Sequence, residues 1–330
     1  MAKKLPPNIP RPKLQNKQPL GLLELDRFSH SDLQEWEKLS KDLDELEDTM
    51  HFSLEPERRR FRQELIQALQ LQEPKSLEIL DWVRIVDYRF SLTPLSSAGS
   101  LLEYGGRFNA GIDLNPGTLN PWPALYLAED YETAYREKFQ IKSNDLTNGL
   151  KPEELALEHG KSHTTVFLSG RLDGVFDMTS ASKLDDVAKI LKKIKMPQRA
   201  HTLMKKLGMN TSDYKMVKNG QGLYDAVLRH NYRVLPVQFG LPARGQVLGE
   251  LIKAAGFEAI LYKSTAGLGN CLAIFPDQLS EQSYVELIDV PPEGVKYSRL
   301  DSDSAGYLAG WQFIRTRSLS DFSFLMRAIW

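Results

Sequence analysis

Leu33, Trp36, Leu39, Leu43 and Leu46 recur at steps of three and four, the spacing that lines one face of a helix, and Ser31 with Gln34 forms a capping box at its start. Phe61, Leu65 and Leu69 repeat the spacing and predict a second helix. The first is acidic (Asp42, Asp44, Glu45, Glu47, Asp48) and the second opens with Arg58, Arg59, Arg60 and Arg62. An antiparallel hairpin would set these charges side by side, and Pro74 would close it. The period then shortens to two. Leu80 to Phe90 reads as a strand in which Arg84 faces away from Val83 and Ile85, and Ala124 to Ala128 reads as another. There Leu125 and Leu127 point to the core, while Tyr126 lies between two alanines on the opposite face.

Asp130 is placed to cap a helix that carries Glu137 on the stripe of Ala134 and Ile141. A carboxylate on an apolar stripe needs either an ion partner, here Arg136 or Lys138, or a chemical task. Further on, Thr165–Leu168 and Gly174–Asp177 predict two short strands, and Lys183 to Lys195 predicts a basic helix with Val187, Ile190, Leu191 and Ile194 inward. Asp185 and Asp186 dilute its charge, so its lysines read as a solvated face. Val247, Leu248, Leu251, Ile252 and Ala255 form a last amphipathic helix ended by Gly256. A strand from Glu258 to Lys263 then runs into Ser264, a turn holds Gly267, Gly269 and Asn270, and Cys271 to Phe275 forms another strand.

Composition narrows the class. A chain of 330 residues with 42% hydrophobic positions can build a substantial core, and a net charge of −1 predicts no direct nucleic acid or membrane partner. Cys271 is the sole cysteine, which excludes an internal disulfide. Met1-Ala2-Lys3-Lys4 is followed by Leu5-Pro6-Pro7 and not by an apolar run, so the expected location is cytoplasmic. Gly160-Lys161-Ser162 ends like a phosphate loop but lacks the first glycine, and His159 and His163 have no third ligand, so no metal is expected.

The chemistry concentrates in Gly105-Gly106-Arg107-Phe108-Asn109, followed by Ala124-Leu125-Tyr126-Leu127-Ala128-Glu129-Asp130 and Glu137. A glycine pair lets the backbone approach a ligand, and a guanidinium fork matches a pyrophosphate. This succession resembles the RES-domain family, whose toxins in RES–Xre toxin–antitoxin pairs degrade NAD. The eleven-residue spacing from Tyr126 to Glu137 agrees with the family's tyrosine and glutamate. Ser264 matches its serine. Its early arginine is either Arg84, which has the family's local look, or Arg89, which lies nearer the glycines.

The resemblance implies an α+β fold, with an ADP-ribosyltransferase-like mixed or antiparallel sheet and flanking helices, plus an N-terminal helical extension. The expected division is a proline-rich tail over 1–20, the helical hairpin over 21–75, and a RES domain over 76–290 with an enlarged middle segment at about 143–244. An aromatic tail over 291–330, with Trp311, Phe313, Phe322, Phe324 and Trp330, would dock on the domain or on a second subunit in a homodimer. NAD would be the substrate. Glu137 would stabilise positive charge on the ribose, Arg84 and Arg107 would hold the pyrophosphate, and Tyr126 would line the nicotinamide pocket. Ser264 would bond nicotinamide or its ribose, with Gly106, Asn109 and Arg89 as further binding candidates. The partner implied is an Xre-type helix-turn-helix antitoxin. An ADP-ribosyltransferase and a non-catalytic binding module are the alternative readings.

Overall fold

The computed structural model describes residues 30–115, 117–141, 162–209, 216–228 and 237–310. The described residues form seven strands: β1 (Lys75–Asp87), β2 (Leu125–Ala128), β3 (His163–Asp177), β4 (Ala259–Lys263), β5 (Asn270–Ile274), β6 (Tyr284–Leu287) and β7 (Arg299–Leu300). They lie in the order β1-β2-β5-β4-β3-β6-β7, and β1 also pairs with β3. Five strands therefore close into a ring, and β6 and β7 extend from β3. All the pairings are antiparallel except β3 with β4, so the fold is α+β with a mixed sheet and flanking helices. That parallel pair requires a crossover connection. The residues between Asp177 and Ala259 supply it.

Leu125 and Leu127 of β2, Leu272 and Ile274 of β5, and Ala259 and Leu261 of β4 bury one face against Ile79, Trp82, Leu168, Leu172 and Val175. Each leucine, isoleucine or valine among them contributes roughly 1.5–3 kcal/mol relative to exposure. The opposite face of the same strands carries Tyr126 opposite Ala273, and Tyr262 opposite Cys271. The two short strands expected around Leu168 and Phe176 are one strand, β3. Within its polar interruption Arg171 stays paired with Glu78 of β1, and Asp173 falls at a register shift where Ser76 Oγ donates to its carboxylate. The register shifts between Ile79 and Trp82, where Asp81 takes a φ of 57°, an irregularity that lets a long strand bend around a closed sheet.

Contacts divide the chain into two compact units, the chain up to Arg62 with Lys189–Lys218, and Gln63–Ala188 with the chain from Asn219. In the first unit, α1 runs unbroken from His30 to Arg60 despite Pro56. This corrects the expected hairpin. The acidic stretch and Arg58 to Arg60 share one continuous helix, so these charges cannot fold back on each other. Glu55 instead takes Arg58 and Arg59 one turn along. The acidic face finds partners on the helix Gln198–Lys206, where Arg199 pairs with Glu45 and Lys206 with Asp42. Leu46 packs there on Ala200, Leu203, Met204 and Leu207.

The basic segment from Lys183 to Lys195 is also shorter than expected, a 3-10 turn Ala181–Leu184 leading into a helix Asp185–Leu191. At the other end of the chain, Ser96 Oγ and the Ser97 amide both donate to the Leu308 carbonyl. The aromatics from Trp311 onward, the proline-rich tail, and the Gly160-Lys161 and His159 signals lie outside the described residues.

Candidate active site

Gly105 has a φ of 88°, which a side chain rarely tolerates, and it pairs with Ala110 across a tight loop. Asn109 fills that loop. Its fully buried amide donates to the Ser100 and Trp122 carbonyls at 2.7 and 3.0 Å, and its Oδ1 accepts from the Gly106 amide and from the Tyr126 hydroxyl. The Tyr126 hydroxyl in turn accepts from the Phe108 amide at 3.0 Å. A Cβ on Gly106 would sit 2.5 Å from that hydroxyl, so the tyrosine by itself requires the second glycine. Asn109 is likewise a brace for the loop, with no surface to offer a nucleotide. Gln246, buried on the helix Arg244–Ala254, completes the brace. Its Nε2 reaches the carbonyls of Tyr104, Gly106 and Asn109, and its Oε1 accepts from the Ala243 amide.

The helix α3 (Tyr131–Phe139) starts on Asp130, whose carboxylate accepts from the Thr133 amide and hydroxyl, as the sequence predicts. Neither neighbouring cation is the partner of Glu137. Arg136 pairs with Glu132 at 2.8 Å and Lys138 with Asp87 at 2.7 Å. Glu137 Oε1 accepts from Ser264 Oγ at 2.6 Å and from the Thr265 amide at 3.0 Å. Its Oε2 makes no hydrogen bond among the described residues. Ser264 Oγ also accepts from the Ala266 and Gly267 amides. A hydroxyl has one proton and two lone pairs, and all three are used here. Ser264 therefore orients Glu137.

Both arginines are engaged with main-chain oxygens. Arg84 donates through Nε, Nη1 and Nη2 to the carbonyls of Pro94, Tyr126 and Ser96 at 2.8, 2.9 and 3.0 Å. Period two sets it on the side of Trp82, away from the side that carries the Tyr126 ring. Burial pushes its guanidinium down to about 10, which leaves it charged at neutral pH. Arg107 is only 6% exposed, not solvated. It donates to the Val227 and Leu228 carbonyls at the end of the helix Gly220–Leu228, and to Thr265 Oγ1 at 3.0 Å. Arg89 lies apart, exposed in the turn after β1, beside Asp87 and the Phe90 ring.

Glu137, Ser264, Tyr126 and Arg107 thus form one neighbourhood, while Arg84 braces its far side and Arg89 is not brought in. Beneath lie Tyr262, edge-on to Phe108, and Cys271. Burial first, then the Glu137 charge for Cys271 and the Cys271 and Glu137 charges for Tyr262, hold both groups well above their ordinary values, and Arg107 acts in the opposite direction on each. The site can therefore present one oriented, half-buried carboxylate above a buried tyrosine and cysteine. Sequence reasoning missed Gln246 and Thr265. Gln246 has one signal, a polar side chain among Val247, Leu248 and Leu251, whereas Thr265 carries none.

No protein-family profile matches this chain, and no curated protein matches it. Among solved structures, it is similar to a chain of the M. tuberculosis MbcT–MbcA toxin–antitoxin complex at 14% identity, covering 74% of this chain and 96% of that one, with a TM-score of 0.36. At that overlap, function has to be read from the site's own residues. No helix among the described residues is long and apolar enough to cross a membrane.

Proposed function

We propose that this protein cleaves the bond between nicotinamide and ribose in NAD, acting as a toxin that depletes the nucleotide and arrests growth. The observation that carries the reading is the state of Glu137. One oxygen is fixed by the Ser264 hydroxyl and the Thr265 amide, and the other is uncommitted among the described residues. Cleavage of the C–N bond sends its electron pair to the departing nicotinamide, which leaves neutral and needs no general acid. The ribose carbon acquires oxocarbenium character, as in glycoside hydrolysis, and a fixed carboxylate stabilises it. An acceptor oxygen then bonds to the ribose carbon, and its proton passes to solvent. Water as acceptor gives a glycohydrolase, and inorganic phosphate gives a phosphorylase.

The roles of the other residues follow from their bonds. Ser264 orients Glu137, Tyr126 presents its ring while its hydroxyl holds the glycine loop, and Gly106, Asn109 and Arg84 keep loop and strand in place. The resemblance to the RES-domain family supports NAD as substrate and an Xre-type helix-turn-helix antitoxin as partner. Nicotinamide release from NAD by wild type, lost in Glu137→Gln, is the test. NAD consumption only when a protein acceptor is supplied would turn the reading to an ADP-ribosyltransferase.

A further inference from the structure

Thr265 lies at the junction of two chains of contact. Its amide donates to Glu137 Oε1 at 3.0 Å, and its side-chain oxygen accepts from Arg107 Nη2 at 3.0 Å. Arg107 is itself anchored on the last carbonyls of the helix Gly220–Leu228, which carry the negative end of that helix's dipole. A buried guanidinium held from one side by two carbonyls has little freedom, so the threonine that meets its other arm is fixed in place. A second observation agrees. Tyr262 and Cys271 both feel the negative charge of Glu137 and the positive charge of Arg107, so the two charged groups act on the same small volume.

We infer that Thr265 is a positioning residue that couples Arg107 to Glu137, so that the end of the helix Gly220–Leu228 sets where the carboxylate stands. This deepens the proposed NAD cleavage and rests on it for its kinetic arm. Arg107 acts through Thr265 and needs no contact with the pyrophosphate. The coupling passes through a side-chain oxygen on one side and a main-chain amide on the other, and substitution can separate the two. Thr265→Val preserves shape and amide but removes the oxygen, and Thr265→Ser restores the oxygen without the methyl. Arg107 variants would leave two helix-end carbonyls unpaired and are prone to misfold, so Thr265 is the position to change.

In NAD turnover by the full chain, Thr265→Val is expected to lower kcat about tenfold to a hundredfold, the cost of a slightly misplaced reacting group, with KM unchanged. Thr265→Ser is expected to recover most of the rate. Wild-type kcat in Thr265→Val, or no recovery with serine, would overturn the coupling. A crystal structure of Thr265→Val decides the same point without turnover. The Glu137 carboxylate should leave the 264 hydroxyl and the 265 amide, and a carboxylate that has not moved contradicts the inference. A wild-type protein inert toward NAD would count against the cleavage reading alone, and the crystallographic arm would still judge the coupling.

Discussion

Glu137 sits on a helical stripe with Ala134, and that anomaly is what makes it visible in the sequence. Its partners are not visible there. Ser264 and Thr265 lie more than a hundred residues away, and only the pairing of β4 with β5 beside β2 brings their turn to α3. The glycine pair is also legible as a special backbone, and the structure adds a packing reason for it, since a Cβ at Gly106 would meet Tyr126 and Asn109. Gly106→Ala therefore has to displace the Tyr126 hydroxyl or the Asn109 amide. It is expected to cost about 1–3 kcal/mol, the penalty for unpairing buried polar groups, read as a lower midpoint in urea denaturation.

The buried pair beneath the carboxylate gives a pH prediction. The Cys271 thiol is held well above its ordinary value of 9.0 by burial and by Glu137, so the folded protein favours the protonated form. The unfolded chain releases that proton first. The associated stability is fully present below about pH 9 and fades as pH rises beyond it, and Tyr262 adds in the same direction above its ordinary value of 10.0. Thermal melts from pH 7 to 10.5 should show Tm falling at the alkaline end, and Cys271→Ala should flatten that fall. An identical slope in the variant would contradict the assignment.

Among the elements, the strands and helices around the site follow closely from periodicity and caps. β2, α3, β4 and β5 appear where alternation, Asp130 and the Gly256 stop place them. The N-terminal hairpin does not, because periodicity says which face is buried but not whether a helix turns back. A 31-residue helix through Pro56 looks the same in pattern as two shorter ones. Gln246 is the element-scale surprise, a polar side chain that ties the helix Arg244–Ala254 to the glycine loop through three carbonyls. Gln246→Leu leaves those acceptors unpaired. A loss of about 1–3 kcal/mol is expected in urea denaturation, together with a lower kcat, because the loop seats Tyr126. Unchanged stability would mean that water or neighbouring amides replace the side chain.

For the whole molecule, the closed five-strand ring and the parallel β3–β4 step were out of reach of local pattern, since closure depends on which edges meet. The alternation of Leu125, Tyr126 and Leu127 nonetheless assigns one face to the core and the other to the site, and the ring preserves that division. The result is a fixed carboxylate set over a buried tyrosine and cysteine and held by a turn that Arg107 helps to brace through Thr265. The most direct measurement is a time course of the purified full chain with NAD, with and without phosphate, quantifying nicotinamide and ADP-ribose products beside Glu137→Gln. Nicotinamide release is predicted from wild type and a loss of about 10²-fold or more in the variant, the scale of one preorganised electrostatic group. Nicotinamide release that survives Glu137→Gln, or none from folded wild type free of any inhibitory partner, would contradict the account.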